Sequence, residues 1–508
     1  MKPFLEIAQT NRWEFILPEL TLAFLAVVLL ILGMMLPRRE SNLMAKVALC
    51  GQVLVIGVFL WDCFYLAPSE GTPLFGGMLV HSFWGQFMRG FLLLSSILVS
   101  YLGSIYLKKQ ILPRAEFYAI SLLVTGALML LAQSNHFVML FVALETATIG
   151  FYVLISYCRQ SPFSLEAGFK YLILSALSSA ILLFGIVLLY GVAGNPQLFA
   201  STMDAMNFVE LGNFITANSQ HLLVQIGTVL VVAGLAFKVG VVPFQIWIPD
   251  VYQGAPTPIT SFLAVGSKAA GFFVLIHLIT GPFESMAYLL VPLLSVTAGL
   301  SILFGSLAAL SQQNVKRLMG LSGIAHAGYL LIGLVAAFEV EWAVGAVIFY
   351  FLTYLLGSFA VFSVMAHLSG VDDENQTLED YTDLGQERPF LATILTGGLT
   401  SLAGIPPLGG FIAKLLIFIV AFRAELYVLL GIAIIGVVIS IFYYFAWIRE
   451  AVFYIWRSPA EVEAREKRQQ RDWPELSRVH YITLGALVTA TILIGIYQGP
   501  LTKILFAN

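Results

Sequence analysis

Five basic side chains stand inside long apolar stretches of this chain: Arg89, Lys170, Lys238, Lys268 and Lys414. Two acids, Glu145 and Glu166, and a histidine, His326, stand among them. A charge at the centre of a bilayer costs about 2.5–3.5 kcal/mol on insertion scales, so four lysines in four separate apolar segments are a large penalty. Desolvation favours the neutral amine and a nearby carboxylate favours the ammonium. A buried lysine between these limits can exchange a proton with water or with a neighbour, and a row of them joined by a histidine and water is a proton relay. Snorkelling to the headgroups or a structural ion pair accounts equally well for Arg89 and Lys170, which lie nearer helix ends. It is a weaker account of Lys238, Lys268 and Lys414. Glu166 and Lys170 form an i,i+4 pair with the acid first, the favoured order. A lone histidine is more often structural, but the lysines around His326 weigh toward function; His136 and His277 are read as structural or interfacial.

Two of the lysines sit beside helix breaks. In "LAFKVGVVPFQIW", Pro243 has no N–H for the carbonyl of Val239 and its ring crowds that carbonyl, one residue from Lys238. In "SLAGIPPLGGFIAKLL", Pro406 and Pro407 release the carbonyls of Leu402 and Ala403, and Lys414 follows two turns beyond Pro407. Free backbone at membrane depth is tolerated only inside the protein or beside water. Lys268 follows Gly266 and Ser267, with Ala264 and Gly271 on its own face, small residues that admit close helix contact.

The elements that must position these groups are membrane helices. Of 508 residues, 59% are hydrophobic and only 11% charged, with mean hydropathy +0.90; soluble domains carry about 25% charged residues. Fourteen apolar spans are expected, at 16–36, 43–65, 83–107, 115–133, 136–157, 165–191, 222–243, 259–280, 287–310, 316–337, 342–367, 389–420, 425–448 and 479–500. These lengths require an all-α polytopic membrane protein, not a barrel of strands of about ten residues. The two broken helices, spans 7 and 12, lie five spans apart, as a repeat of five helices would place them, spans 4–8 and then 9–13. An odd number of helices inverts one copy relative to the other. The chain then divides into an N-terminal three-helix segment (1–114), two repeats (115–280 and 281–448) and a loop with the last helix (449–508).

Lys and Arg sort between alternate loops. Arg38, Arg39, Lys108, Lys109, Arg114, Arg159, Lys316, Arg317, Arg388 and the basic residues of 449–478 share one side, which the positive-inside rule makes cytoplasmic, with both termini outside. The loop 369–388, acidic through Asp372, Asp373, Glu374, Glu379, Asp380 and Asp383, falls on the cytoplasmic side, and the mixed-charge stretch 449–478 reads as an amphipathic surface segment. The first span reads as uncleaved. Cys50, Cys63 and Cys158 lie far apart and make no cluster pattern; no dinucleotide or phosphate loop is present. No basic tract suggests nucleic acid. No cofactor and no metal are therefore expected in this chain. The buried groups are mostly lysines, whereas Na⁺ prefers oxygen ligands, so the relay suits H⁺.

The blocks "FKVGVVPFQIWIPDVYQGAPTPITSFLAVGSKAAGF", "SLEAGFKYLILSALSSAILLFGIVLLYG", "NVKRLMGLSGIAHAGYLLIGL" and "DLGQERPFLATILTGGLTSLAGIPPLGGFIAKLLIF" closely resemble the subunit N family. These are antiporter-like membrane subunits of the proton-pumping NADH–quinone oxidoreductase, respiratory complex I. The resemblance runs from about residue 115 to 455, and "PDVYQGAPTPIT" points to subunit N over its M and L relatives. It implies that Glu145 is the fifth-helix glutamate paired with a lysine, and Lys170, Lys238 and Lys268 the lysines of helices six, seven and eight. It implies likewise that His326 lies on the central hydrophilic axis and that Lys414 is the distal twelfth-helix lysine. Gln245 stands where the family commonly has histidine, "GLSG" (Gly320–Gly323) replaces tyrosine–serine–serine, and "ALETATIG" around Glu145 is divergent. The resemblance further implies a bacterial inner membrane, M-type and K-type neighbouring subunits, and NAD, FMN, iron–sulfur clusters and quinone in partner subunits. A sodium/proton antiporter subunit of the Mrp type is the alternative, and a structural subunit with relic lysines a third reading.

Overall fold

A computed structural model describes residues 10–35, 42–66, 69–110, 112–195, 204–370, 373–453 and 476–506. Arg38, Arg39, Asp372 and most of the expected surface segment 449–478 fall outside them. The chain is a helical membrane bundle. Its spans are α1 (Leu17–Met35), α2 (Asn42–Trp61), α3 (Phe83–Lys109), α4 (Ala115–Ala132), α5 (Phe137–Ile155), α6 (Pro162–Ala193) and α7 (Leu222–Val239). The remainder are α8 (Thr257–Ile279), α9 (Ala287–Ala309), α10 (Val315–Ala336), α11 (Ala343–Leu368), α12a (Pro389–Ala403), α12b (Gly409–Arg423), α13 (Tyr427–Val452) and α14 (Arg478–Ile496). Thirteen described helices are each long and apolar enough to cross a membrane. The twelfth expected span is divided into α12a and α12b, 15 residues each, or about 22 Å apiece. A two-stranded hairpin, Pro73–Leu74 with Leu79–Val80, is the one sheet among the described residues.

Burial separates an inner from an outer set of helices. The whole apolar window of α10 is buried, and α8 and α11 nearly so. In α1, Phe24, Val27 and Ile31 face outward, as expected where lipid covers apolar surface. Helix starts follow local capping. The Asn314 side chain accepts from the amides of Lys316 and Arg317 to open α10, Ser161 with Pro162 at the first turn opens α6, and His136 caps α5 through Nδ1.

Three expectations need correction. First, α7 ends at Val239, not at Pro243. Gly240, in the left-handed region at φ 73°, turns the chain there, and its N–H caps the carbonyls of Ala236 and Phe237. Glycine is used because a Cβ disfavours this conformation. Pro243 lies beyond the stop, in a cis bond after Val242, and so does not interrupt a running helix. Second, Glu166 is not buried: its side chain is 57% exposed, because it sits in the second turn of α6 on the outer face. Third, Lys316 is not in a loop: it lies in the first turn of α10, buried against part of the acidic loop. Asp373 is buried, accepting from the backbone N–H and hydroxyl of Thr257, Gln376 and the buried Lys316. Lys316 is thereby held at the N-terminal ends of α8 and α10.

Candidate functional site

The structure gathers the ionisable residues into three groups. In the first, Lys238 ends α7, buried, with its ammonium donating to Thr148 Oγ1 at 2.8 Å. Glu145, one turn earlier on α5, lies at 4.0 Å and accepts from Ser179 of α6 at 2.5 Å. Gly271 of α8 packs against the Lys238 stem, so the small-residue face of α8 meets α7 where the lysine leaves it. At 4.0 Å two charges interact by about 4 kcal/mol at an effective dielectric of 20. The pair is therefore strongly coupled without a direct hydrogen bond.

The second group fills the inner helices. Lys268 follows a π-helical turn, Leu263–Ser267, a feature frequent at functional sites. Its ammonium donates to the carbonyl of Gly323 at 2.6 Å. A Cβ at 323 would meet that ammonium at 3.1 Å and the Tyr354 hydroxyl at 3.4 Å, so the glycine in "GLSG" clears the lysine's approach. One turn along α10, His326 is bracketed by Tyr350 at 2.6 Å on Nδ1 and Tyr444 at 3.1 Å on Nε2. The Tyr354 ring stacks at 4.9 Å from the imidazole. His326, Tyr350, Tyr354, Ser401 and Lys414 line one cavity, with about 10 Å³ open to the centre of a water, room for about one molecule. Lys414 closes its far side, donating to the carbonyl of Ala403 at 2.8 Å and facing the Tyr329 ring at 5.4 Å. The carbonyl expected to be released beside Pro407 is thus the one that holds the lysine. The stop itself is Gly404, at φ 81°, and Pro406–Pro407 is cis.

The third group is at the N-terminal ends of α6 and α10. Lys170 bridges Glu166 and Asp250, both at 2.6 Å. Asp250 also accepts from Arg317 at 2.9 Å, which tethers α10 to α6 through the short helix Ile248–Gly254. Burial pushes the Asp250 carboxyl up, but Lys170 and Arg317 outweigh it and hold it below the ordinary value. Lys170, 38% exposed along its side chain, is in a different environment from the other lysines. Among the described residues no hydrogen bond joins the Lys238 group to the Lys268 group, and none joins Lys170 to either. Gln245 is buried beyond the α7 stop, its Oε1 without a partner. Arg89 does not snorkel: it is fully buried against Glu19 and Asp62.

Sequence reasoning missed Tyr350, Tyr354 and Tyr444, Asp250 and Arg317, and the acids Glu19 and Asp62. Tyr350 and Tyr354 carry an i,i+4 signal for one face of α11, but nothing local to the sequence aims that face at His326. Among the described residues no group of three or more His, Cys, Asp or Glu side chains is placed to hold a metal ion.

Inward-facing lysines on a many-spanning bundle with two interrupted helices define the class of antiporter-like membrane subunits. Residues 134–440 match the family described as "NADH:quinone oxidoreductase/Mrp antiporter, TM". The chain is 54% identical over 503 residues, 99% of this chain and 98% of the relative, to NADH-quinone oxidoreductase subunit N 1 of Opitutus terrae. It is 34% identical over 513 residues, 99% and 94%, to NAD(P)H-quinone oxidoreductase subunit 2 of Synechococcus elongatus. A chain of respiratory complex I from Thermus thermophilus superposes with TM-score 0.76 at 27% identity, covering 97% of this chain and 100% of that one. A chain of the Mrp complex from Dietzia sp. has the same fold, with TM-score 0.76 at 19% identity over 96% of each. The chain belongs to the NADH–quinone oxidoreductase subunit N family.

Proposed function

We propose that this chain is a membrane subunit of a proton-pumping NADH–quinone oxidoreductase and moves protons through its own buried side chains. The observation that carries this is the second group: Lys268 donates to the Gly323 carbonyl, and His326, Tyr350, Tyr354 and Lys414 line one small cavity, all within apolar helices. Lysine here meets neutral acceptors, so each can give up its proton without stranding a partner charge. Lys238 with Glu145 forms a separate, charge-paired station, and water must bridge the two. Lys170 is a cytoplasmic-side station whose acids tie it to Asp250. The breaks at Gly240 and Gly404 free backbone where the lysines sit, which supports the division into repeats at 115–280 and 281–448 after the segment 1–114, with 449–508 following.

On this reading the chain itself transfers no electrons. NAD, FMN, iron–sulfur clusters and quinone belong to partner subunits, M-type and K-type membrane subunits are the neighbours, and the membrane is the bacterial inner membrane. The sorting of basic loops supports both termini on the non-cytoplasmic side. Full-length identity of 54% to a subunit N favours this over the Mrp reading, for which the 19% likeness speaks only to fold. In the assembled complex, Lys238→Ala should lower proton pumping about tenfold or more, a barrier change of at least ~1.4 kcal/mol, with assembly intact and no dependence on sodium. Normal pumping by an assembled Lys238→Ala complex would overturn the relay, and sodium-driven proton exchange without reductant would favour the antiporter.

A further inference from the structure

A second ionisable centre lies in the N-terminal helices, outside the matched residues 134–440. Arg89, six residues into α3 and so about 9 Å along its axis, is 0% exposed. All five of its N–H donors are committed. Two go to Glu19 of α1, at 2.8 and 2.7 Å, one to the Phe15 carbonyl at 3.1 Å, one to Gln86 Oε1 at 2.7 Å and one to Asp62 Oδ2 at 2.8 Å. Gln133, at the end of α4, adds a bond to Glu19 Oε1 at 3.1 Å. Asp62, at the end of α2 and 1% exposed, receives only the one bond among the described residues, and its buried Oδ1 meets no partner among them. One guanidinium therefore faces two carboxylates in a dry site. Asp62 has the less compensated charge of the two, with one hydrogen bond against the three that Glu19 accepts.

Hydrogen bonds run from the cluster toward the loop before α3. Gln86 accepts from Arg89 through Oε1 and faces His81 Nδ1 with Nε2 at 3.0 Å, so His81 accepts there and carries its proton on Nε2. His81 lies before α3 in the loop that the basic sorting puts outside. Burial first, then the nearby Arg89, lowers its pKa, against Glu70, which raises it. A second proton on His81 would turn Nδ1 into a donor and force the Gln86 amide to rotate away from Arg89. Cys63 beside Asp62 contacts Gln86 Oε1 at 3.6 Å.

We propose that the Glu19–Arg89–Asp62 cluster is a proton-holding site that carries one exchangeable proton on Asp62 Oδ1, loaded by water that enters from the non-cytoplasmic side past His81 and Gln86. The step is a protonation: the Asp62 carboxylate gains H⁺ from water entering beside His81 and Gln86, hydroxide returning to the aqueous side, while Arg89 keeps its charge. The cluster charge moves from −1 to zero. The site is independent of the lysine relay and stands whether or not that relay carries protons.

The test is infrared difference spectroscopy of the assembled, purified complex, comparing the parent with Asp62→Asn, which keeps an acceptor for Arg89. The parent should show a carboxylic-acid C=O band at neutral pH that is absent from the variant. Identical spectra in this region would mean that Asp62 is permanently ionised and would overturn the site. Asp62→Glu, which retains an acid, is the second variant: a shifted band supports the assignment and an unmoved one opposes it. His81→Ala should keep the band but slow its exchange with deuterated water about tenfold; unchanged exchange would remove His81 from the route.

Discussion

The two helix breaks use one device for opposite arrangements. In each, a glycine at positive φ stops the helix and a cis proline follows three residues later, Gly240 with Pro243 and Gly404 with Pro407. Yet Lys238 precedes its stop by two residues, whereas Lys414 follows its stop by ten, where the first break carries Asp250. The partners differ accordingly. Lys238 has a carboxylate, Glu145, at 4.0 Å; among the described residues Lys414 has a backbone carbonyl, an aromatic face and a small cavity. One lysine can therefore store charge against a fixed acid. The other is charged only at the full cost of burial.

A permanent cation separates them most. Arginine cannot give up its proton. Lys414→Arg should cost about 2.5–3.5 kcal/mol and sharply reduce assembled complex on native gels. Lys238→Arg, balanced by Glu145, should assemble while failing to pump. Equal tolerance at both positions would break the comparison.

The glycines come next. Alanine at either position pays for positive φ, on the order of 1–3 kcal/mol. At 404, however, the new Cβ would also meet Lys414 Cδ at 2.7 Å, while at 240 it meets the Ile248 side chain at 2.3 Å. Gly404→Ala should thus lower both thermal stability and pumping, and Gly240→Ala mainly stability. Thermal melts alongside pumping rates of the same preparations decide it.

Glu145→Gln should slow coupled turnover roughly three- to tenfold, about 0.7–1.4 kcal/mol of barrier, and Glu145→Asp less, because the glutamate balances Lys238 across 4.0 Å. Activity of Glu145→Gln equal to the parent would reduce Glu145 to a satisfied partner of Ser179.

The smallest effect belongs to Asp250. Its carboxyl is held low by Lys170 and Arg317. The stability this supplies is present above the ordinary carboxylate range and is lost as pH falls through the lowered folded-state value. With the groups about a third exposed, screening limits it to under about 1 kcal/mol. Asp250→Asn should lower the melting temperature slightly at neutral pH and converge with the parent at low pH, flattening the acid limb of the profile.

Span positions, the all-α class, the inward lysines and the interrupted helices were legible because each is a local property: twenty apolar residues, a lysine within them, a proline or glycine that a helix does not accommodate. The residue doing the stopping was misjudged. Proline announces itself by chemistry, whereas the left-handed turn at Gly240 and Gly404 is one of several conformations open to glycine. Partners were not legible. Glu19, Asp62 and Arg89 are separated by 27 to 70 residues and meet only because α1, α2 and α3 pack side by side. His326 finds Tyr350 and Tyr444 from two other helices.

The amino-acid sequence by itself determined which segments enter the membrane and which charges go with them, since burial of apolar backbone in lipid leaves a helix no alternative. Only the tertiary structure decided what each charge faces: an acid for Lys238, a carbonyl for Lys268 and Lys414, two acids for Arg89. In a low-dielectric interior the nearest few ångströms govern whether a proton stays or leaves, and those distances are set by how helices from distant parts of the chain pack together.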